Sequence, residues 1–212
     1  MISVQINWLE ATAVGFGLVA VYLATREHVA SWPTGIVNVG IFCFLFWRAK
    51  LYAGAALQLV YLALSIYGWH QWLRGGAGRT PLPVSRATSR QWAILVPTFL
   101  AGGVGLGALL DRYTDSPVPF FDALLTASSL VAQWMLTQKL LENWVVWIVT
   151  DAVYVPLLVA RGLAFTAAQY AVFLALAVAG LVRWRRSFVA RRAAADAAHA
   201  AAASEAAGGL TP

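Results

Sequence analysis

Residues 10–37 and 122–149 align without a gap at an offset of 112, and both windows lie in apolar sequence of membrane length. Within them Ala11, Leu18, Val19, Ala20, Thr25, Trp32, Ile36 and Val37 recur as Ala123, Leu130, Val131, Ala132, Thr137, Trp144, Ile148 and Val149. Leu and Val coincidences are cheap in apolar sequence, so the pairs Glu10/Asp122, Thr25/Thr137 and Trp32/Trp144 carry most of the weight. After a one-residue slip Lys50 and Gln58 meet Arg161 and Gln169, and Trp72 meets Trp184 back at the original offset. Duplication of a helical membrane unit within one chain is a mark of transporter architecture. Two related halves offer an interface where a solute sits and around which they rock.

A chain that is 60% hydrophobic and 11% charged, with a mean hydropathy of +0.69, is an integral membrane domain rather than a soluble domain with an anchor. Seven apolar runs, at 7–25, 31–48, 51–73, 92–110, 120–138, 143–160 and 164–184, approach the length needed to cross a bilayer. The stretch GGAGRTPLPVSRATSR separates the third from the fourth, and DRYTDSPVP precedes the fifth. The expected fold is therefore all-α and integral to the membrane, with seven transmembrane helices. Residues 1–192 form a single transmembrane domain made of a three-helix repeat at 7–73, a linking helix at 92–110 and a second three-helix repeat at 120–185. An odd number of helices per repeat with a crossing linker makes the repeats parallel, about a pseudo-twofold axis along the membrane normal. Residues 193–212 form an Ala-rich tail with little to bury, and no function is assigned to it.

The opening MISVQINW has neither a basic n-region nor a small-residue cleavage site, so the first helix is expected to be retained. Cys43, the single cysteine, can form no internal disulfide and is read as a small packed hydrophobe. The formal charge of +6 does not point to nucleic acid, because the basic residues flank hydrophobic segments. Arg48, Lys50, Arg112 and Arg161 fall on one side of the expected topology and the other eleven Lys and Arg residues on the opposite side. The positive-inside rule then sets the N-terminus outside and the C-terminus in the cytoplasm, with the protein in the cell inner membrane.

Polar residues within the spans carry the functional signal, since a charge at mid-bilayer normally faces protein or a water-filled path. Asp122, Thr126, Ser129, Gln133 and Thr137 share one face of the fifth span. Trp144, Trp147, Asp151 and Tyr154 share a face of the sixth, and Gln58, Tyr61, Ser65 and Trp72 a face of the third. Asn38 lies mid-way along the second span, opposite Thr150 or Asp151 in the repeat alignment. The competing structural readings are specific. Trp8, Trp69, Trp72 and Trp184 near span ends read as interfacial belt residues. Ser and Thr often bond their own backbone, Glu10 and Asp122 read as solvated or capping, and Asn38, Gln58 and Asp151 can bridge helices. A polar face repeated over three helices and mixed with Trp and Tyr favours a cavity for a flat heterocycle bearing hydroxyls.

The motifs WLE, LYAGAALQLVYLALSIYGWHQW and ENWVVWIVTDAVYVPLLVARGL resemble the PnuC vitamin transporters, over about residues 7–184. The resemblance implies an architecture similar to the SWEET sugar transporters doubled in one chain. It further implies facilitated diffusion of nicotinamide riboside, trapping by a cytoplasmic kinase and no bound cofactor; related members carry thiamine or riboflavin. Carried over position by position, it places substrate contacts on Gln58, Tyr61, Trp144, Trp147 and Asp151, with Asn38, Tyr154 and Gln169 beside them. With Gln133 from the polar face, these nine are the candidate substrate-binding residues. The expected partners are a small-molecule vitamin and membrane lipid, no nucleic acid, and a functional link to a kinase; a homo-oligomer is left open.

Other classes are disfavoured by particular residues. A retinal protein needs a lysine in its last span, whereas Lys50 and Lys139 are the only lysines. An enzyme needs a reactive constellation, yet His28, His70 and His199 are scattered and show no metal-ligand spacing. The run GGVGLG within the fourth span has no preceding strand and reads as close helix packing, not a phosphate loop. A non-transporting receptor or structural protein remains the weaker alternative.

Overall fold

Apolar runs of this length leave their backbone amides no partner but one another, and the chain resolves into helices accordingly. The computed structural model describes residues 8–115 and 117–208. Its elements are α1 (Trp8–Thr25), α2 (Ser31–Arg48), α3 (Tyr52–Arg74), a 3-10 turn (Ala77–Arg79), α4 (Ser89–Tyr113), α5 (Pro119–Thr137), α6 (Asn143–Ala160) and α7 (Ala164–Gly208). Local chemistry fixes several ends. Thr88 and Gln91 form a reciprocal capping box at the start of α4, and Pro119 opens α5 where its missing N–H costs nothing. Left-handed residues follow the ends of α1, α2, α5 and α6: Glu27, Lys50, Lys139 and Gly162. These are two pairs at the 112-residue offset, so the repeated sequence turns its corners in the same way twice.

Successive helices pack as neighbours within α1–α3 and within α5–α7, and the contacts of α1 with α7 and of α3 with α5 close the bundle around a central space. Helix α4 lies against α5. Its glycines permit that approach: a Cβ on Gly103 would come within 2.6 Å of Leu124, and one on Gly107 would collide with the Phe120 ring. The GGVGLG run is thus a packing surface.

Two expectations need correction. The seven helices are not seven transmembrane spans in a parallel three-one-three, SWEET-like arrangement. Among the described residues four helices are long and apolar enough to cross a membrane: α1, α4, α6 and the Ala164–Ala202 part of α7. The physical reason lies in the other three. Helix α2 carries Ser31, Thr34 and Asn38, α3 carries Gln58, Ser65, His70 and Gln71, and α5 carries Asp122, Thr126, Ser128, Ser129 and Gln133. Those side chains lower their mean hydropathy.

The second correction concerns the belt tryptophans. Trp8 and Trp69 are exposed, but Trp72 and Trp184 are buried, the latter with 0% exposure. They join Trp32 and Trp144 in one cluster, with ring centroids 5.3 Å apart for Trp32–Trp72, 5.8 Å for Trp72–Trp184 and 5.4 Å for Trp144–Trp184. The Trp72 indole donates to the Leu136 carbonyl at 3.0 Å, and the Trp184 indole to the Ala24 carbonyl at 3.0 Å. Donor and acceptor are both displaced by 112 residues. A span-end tryptophan in isolation belongs at the lipid interface, but the four brought together bury one another, and Trp72 and Trp184 satisfy their N–H groups on a neighbouring helix end.

The Ala-rich tail continues α7 as one helix to Gly208, and residues 209–212 lie outside the described residues. So do residues 1–7, on which the reading of the N-terminus rests, and Ser116 in the break before α5. Cys43 is half-buried and packs near the Ala55 carbonyl.

Candidate functional site

The space between the helices is a cavity of about 320 Å³. Trp32, Trp144, Ala24, Leu136 and Ala177 line its end nearest the α1–α2 and α5–α6 corners, and Phe42, Asp151, Gln169 and Tyr170 line it farther along the helices. Eight of the nine candidate residues face it: Asn38, Gln58, Tyr61, Gln133, Trp144, Trp147, Asp151 and Gln169. Tyr154 does not; its ring stacks on Tyr170 at 4.8 Å, and Tyr170 lines the wall in its place.

Each face read from the sequence divides into inward-facing and structural members. In α5, Ser129 and Gln133 reach the cavity; the Thr126, Ser129 and Thr137 hydroxyls all donate to their own helix, and Asp122 pairs with Arg161 at 3.5 Å. Asn38 is committed in part, since its side-chain amide donates to the Ala13 carbonyl of α1 at 2.7 Å. Its counterpart in the repeat, Thr150, likewise clamps α6 to α5 through a 2.6 Å hydrogen bond with Ser128. The two residues thus hold matching helix pairs together.

The walls occupy corresponding positions but differ in chemistry. Gly35, Val39 and Val21 on one side answer Trp147, Asp151 and Gln133 on the other. Tyr61 and Ser65 answer Phe173 and Ala177. One wall of α6 is therefore aromatic and acidic, and the matching wall of α2 is small and apolar. The sequence reading missed Tyr170, Phe173 and the small residues Gly35 and Val39. The unslipped 112-residue offset held the signal for the first two, because it maps Gln58 to Tyr170 and Tyr61 to Phe173.

Asp151 is the one carboxylate among the lining residues, which include no Lys, Arg or His. It is 3% exposed, and no hydrogen bond or ion pair from another described residue reaches it. Buried carboxylates are ordinarily paired, so a carboxylate at a cavity wall without a protein partner is suited to a cation or hydroxyls supplied from outside. Trp32 and Trp144 also line the cavity, and their indole N–H groups are buried without an acceptor among the described residues. The site therefore combines flat apolar faces, three side-chain amides with free capacity and a buried carboxyl group.

Comparison with known proteins places these residues in context. The model of the family described as nicotinamide mononucleotide transporter matches residues 7–186. The nicotinamide riboside transporter PnuC of Escherichia coli (strain K12) is 26% identical over 208 residues, covering 86% of this chain and 87% of its own. The riboflavin/roseoflavin transporter RibM of Streptomyces davaonensis is 29% identical over 183 residues, with 85% of each chain covered. The crystal structure of the vitamin B3 transporter PnuC shares the fold, with a TM-score of 0.67 and 22% identity over 86% of this chain and 83% of that one.

Proposed function

We propose that this chain, which belongs to the nicotinamide mononucleotide transporter family, carries nicotinamide riboside into the cell by facilitated diffusion. The family makes the protein a membrane transporter; the substrate is argued from the cavity. The observation that carries the choice is the unpartnered Asp151 in a lining without a single Lys or Arg. A phosphate in this cavity would lose its hydration beside a carboxylate and gain no cation, so a mononucleotide is a poor occupant. The riboside lacks the phosphate and carries a positive charge on its pyridinium ring. Its flat ring suits Trp147 and Trp144, its charge suits Asp151, and its hydroxyls and carboxamide suit Gln58, Gln133 and Gln169.

Riboflavin is the second reading, favoured by the similarity to RibM. It is larger and uncharged, and so offers Asp151 hydroxyls but no cation. Calorimetric titration of the purified protein with nicotinamide riboside, nicotinamide mononucleotide, thiamine and riboflavin separates these readings. The riboside should bind at least tenfold more tightly than the others, and a preference for the mononucleotide or riboflavin removes the argument from Asp151.

Transport runs as uniport, with net uptake sustained by phosphorylation of the solute in the cytoplasm. One acidic residue beside two tryptophans reads as an orienting acceptor rather than a coupling centre. The excess of Lys and Arg at the end where α7 leaves the bundle supports a cytoplasmic C-terminus. Liposomes containing buffer alone test the energetics. Accumulation above the external concentration, driven by an imposed pH or sodium gradient, would contradict uniport.

A further inference from the structure

The corner between α1 and α2 and the corner between α5 and α6 are the same turn in the two copies of the repeat, and their left-handed residues are Glu27 and Lys139. In most respects the two corners behave alike: Thr25 and Thr137 each donate to the carbonyl three residues earlier, and each corner accepts an indole N–H on its helix end. At the apex they are opposite in charge. The Lys139 ammonium lies 3.5 Å from the Glu27 carboxylate, so equivalent residues of the two copies pair with each other across the closed end of the cavity.

The surroundings are arranged about that pair. Lys139 is 6% exposed and its ammonium sits 4.5 Å from the centre of the Trp72 ring. Burial lowers the Lys139 pKa from its usual value, and the Glu27 carboxylate acts in the opposite direction. Arg191 of α7 approaches Glu27 at 3.5 Å, and Arg183 donates to the Thr25 hydroxyl at 3.0 Å. The α5–α6 corner is anchored from outside: the Ser85 N–H donates to the Lys139 carbonyl, the Leu141 N–H to the Ser85 carbonyl, and Arg86 pairs with Glu142 at 3.0 Å. The linker thus fixes the Lys139 corner, whereas the Glu27 corner is held to it across the mouth by the ion pair and by the tryptophan cluster beneath. A carrier must open at this end for a solute to leave by it, and this contact lies in the way.

We propose that Glu27 and Lys139 form an ionic latch that holds the corner end of the cavity shut, and that its breaking is the step that opens this end. The latch acts on access to the cavity, not on solute contacts, so it is separable from the substrate reading above. The test uses the full chain in liposomes, with Cys43→Ser to remove the native thiol and Ala24→Cys as a reporter on the cavity floor. A membrane-impermeant maleimide applied from the corner side reads how often that end opens. Glu27→Gln and Lys139→Met should each raise the labelling rate, by about tenfold for a change of that scale in a two-state population. Glu27→Lys, which sets a third cation against Lys139 and Arg191, should raise it further, and the double variant Glu27→Lys/Lys139→Glu should return it towards the parent rate. Labelling of both neutral variants at the parent rate overturns the latch.

A Glu27→Cys/Lys139→Cys variant in the same Cys43→Ser background supplies a measurement that does not depend on removing a buried charge. Bridging the two thiols with a short reducible cross-linker should stop nicotinamide riboside uptake, and reduction should restore it. Undiminished uptake by the bridged protein also overturns the proposal. Uptake by the uncross-linked protein is measured alongside. If that is absent, the choice of substrate fails, and the labelling rates still decide the latch.

Discussion

Gly180→Ala is the smallest perturbation that reaches the cavity wall from behind. A Cβ at position 180 would stand 2.6 Å from Cε2 and 2.7 Å from Cδ2 and Cζ2 of Trp144. Relaxed carbon contacts are about 3.5–4.0 Å, so the indole has to retreat by about 1 Å. It has little freedom to slide sideways, because Trp184 abuts it edge-on at 5.4 Å, and the cavity is the direction left to it. Such overpacking costs about 1–3 kcal/mol. Replacing a helical glycine by alanine returns about 0.8–1.0 kcal/mol through backbone entropy, which would mask part of the loss.

Gly105→Ala in α4 isolates that gain, since a Cβ there meets nothing within 4 Å. The difference between the two variants is then the overpacking alone, at roughly 2–4 °C in Tm per kcal/mol for a chain of this size. Thermal unfolding in detergent measures it, with Gly180→Ala expected below the parent and Gly105→Ala at or above it. Calorimetry on the same samples should show Gly180→Ala binding nicotinamide riboside about tenfold more weakly, the effect of losing about 1.4 kcal/mol at the contact. Identical melting and identical affinity for the two variants would refute the placement of Trp144 between α7 and the cavity. Gly68→Ala repeats the experiment on the other copy, where the added Cβ would collide with the Trp32 ring.

Trp147→Ala should reduce riboside affinity more than tenfold, as expected for a buried aromatic contact of about 2 kcal/mol or more, with the melting temperature little changed. Asp151→Asn keeps the shape and removes the carboxylate; titration should show weaker binding of the cationic riboside and a smaller loss for uncharged ligands. Asn38→Ala removes the hydrogen bond to Ala13 and should lower stability by about 0.5–1.5 kcal/mol, detectable as earlier unfolding whether or not ligand is present.

The sequence alone determined the helices and the pairing of positions. A membrane-length apolar run has one way to satisfy its backbone, and the 112-residue offset by itself ties Trp32 to Trp144 and Glu27 to Lys139. The inward faces were legible for the same reason, since Gln58, Tyr61, Trp147 and Asp151 are costly to expose to lipid and repeat at helical spacing. Other properties depend on neighbours distant in the chain. Trp72 and Trp184 look like belt residues until each meets the other and a carbonyl of a separate helix. Asn38 faces the cavity as its helical position suggests, but only the packed structure shows that its amide also holds α1, and Tyr154 looks like a wall residue until Tyr170 takes that place. The count of spans belongs here too. The polar residues that make α2, α3 and α5 line the cavity also lower their hydropathy, and only the packed bundle shows where those side chains point. Tertiary structure alone brought Glu27 within 3.5 Å of Lys139, because a contact between equivalent residues depends on how the two copies face each other.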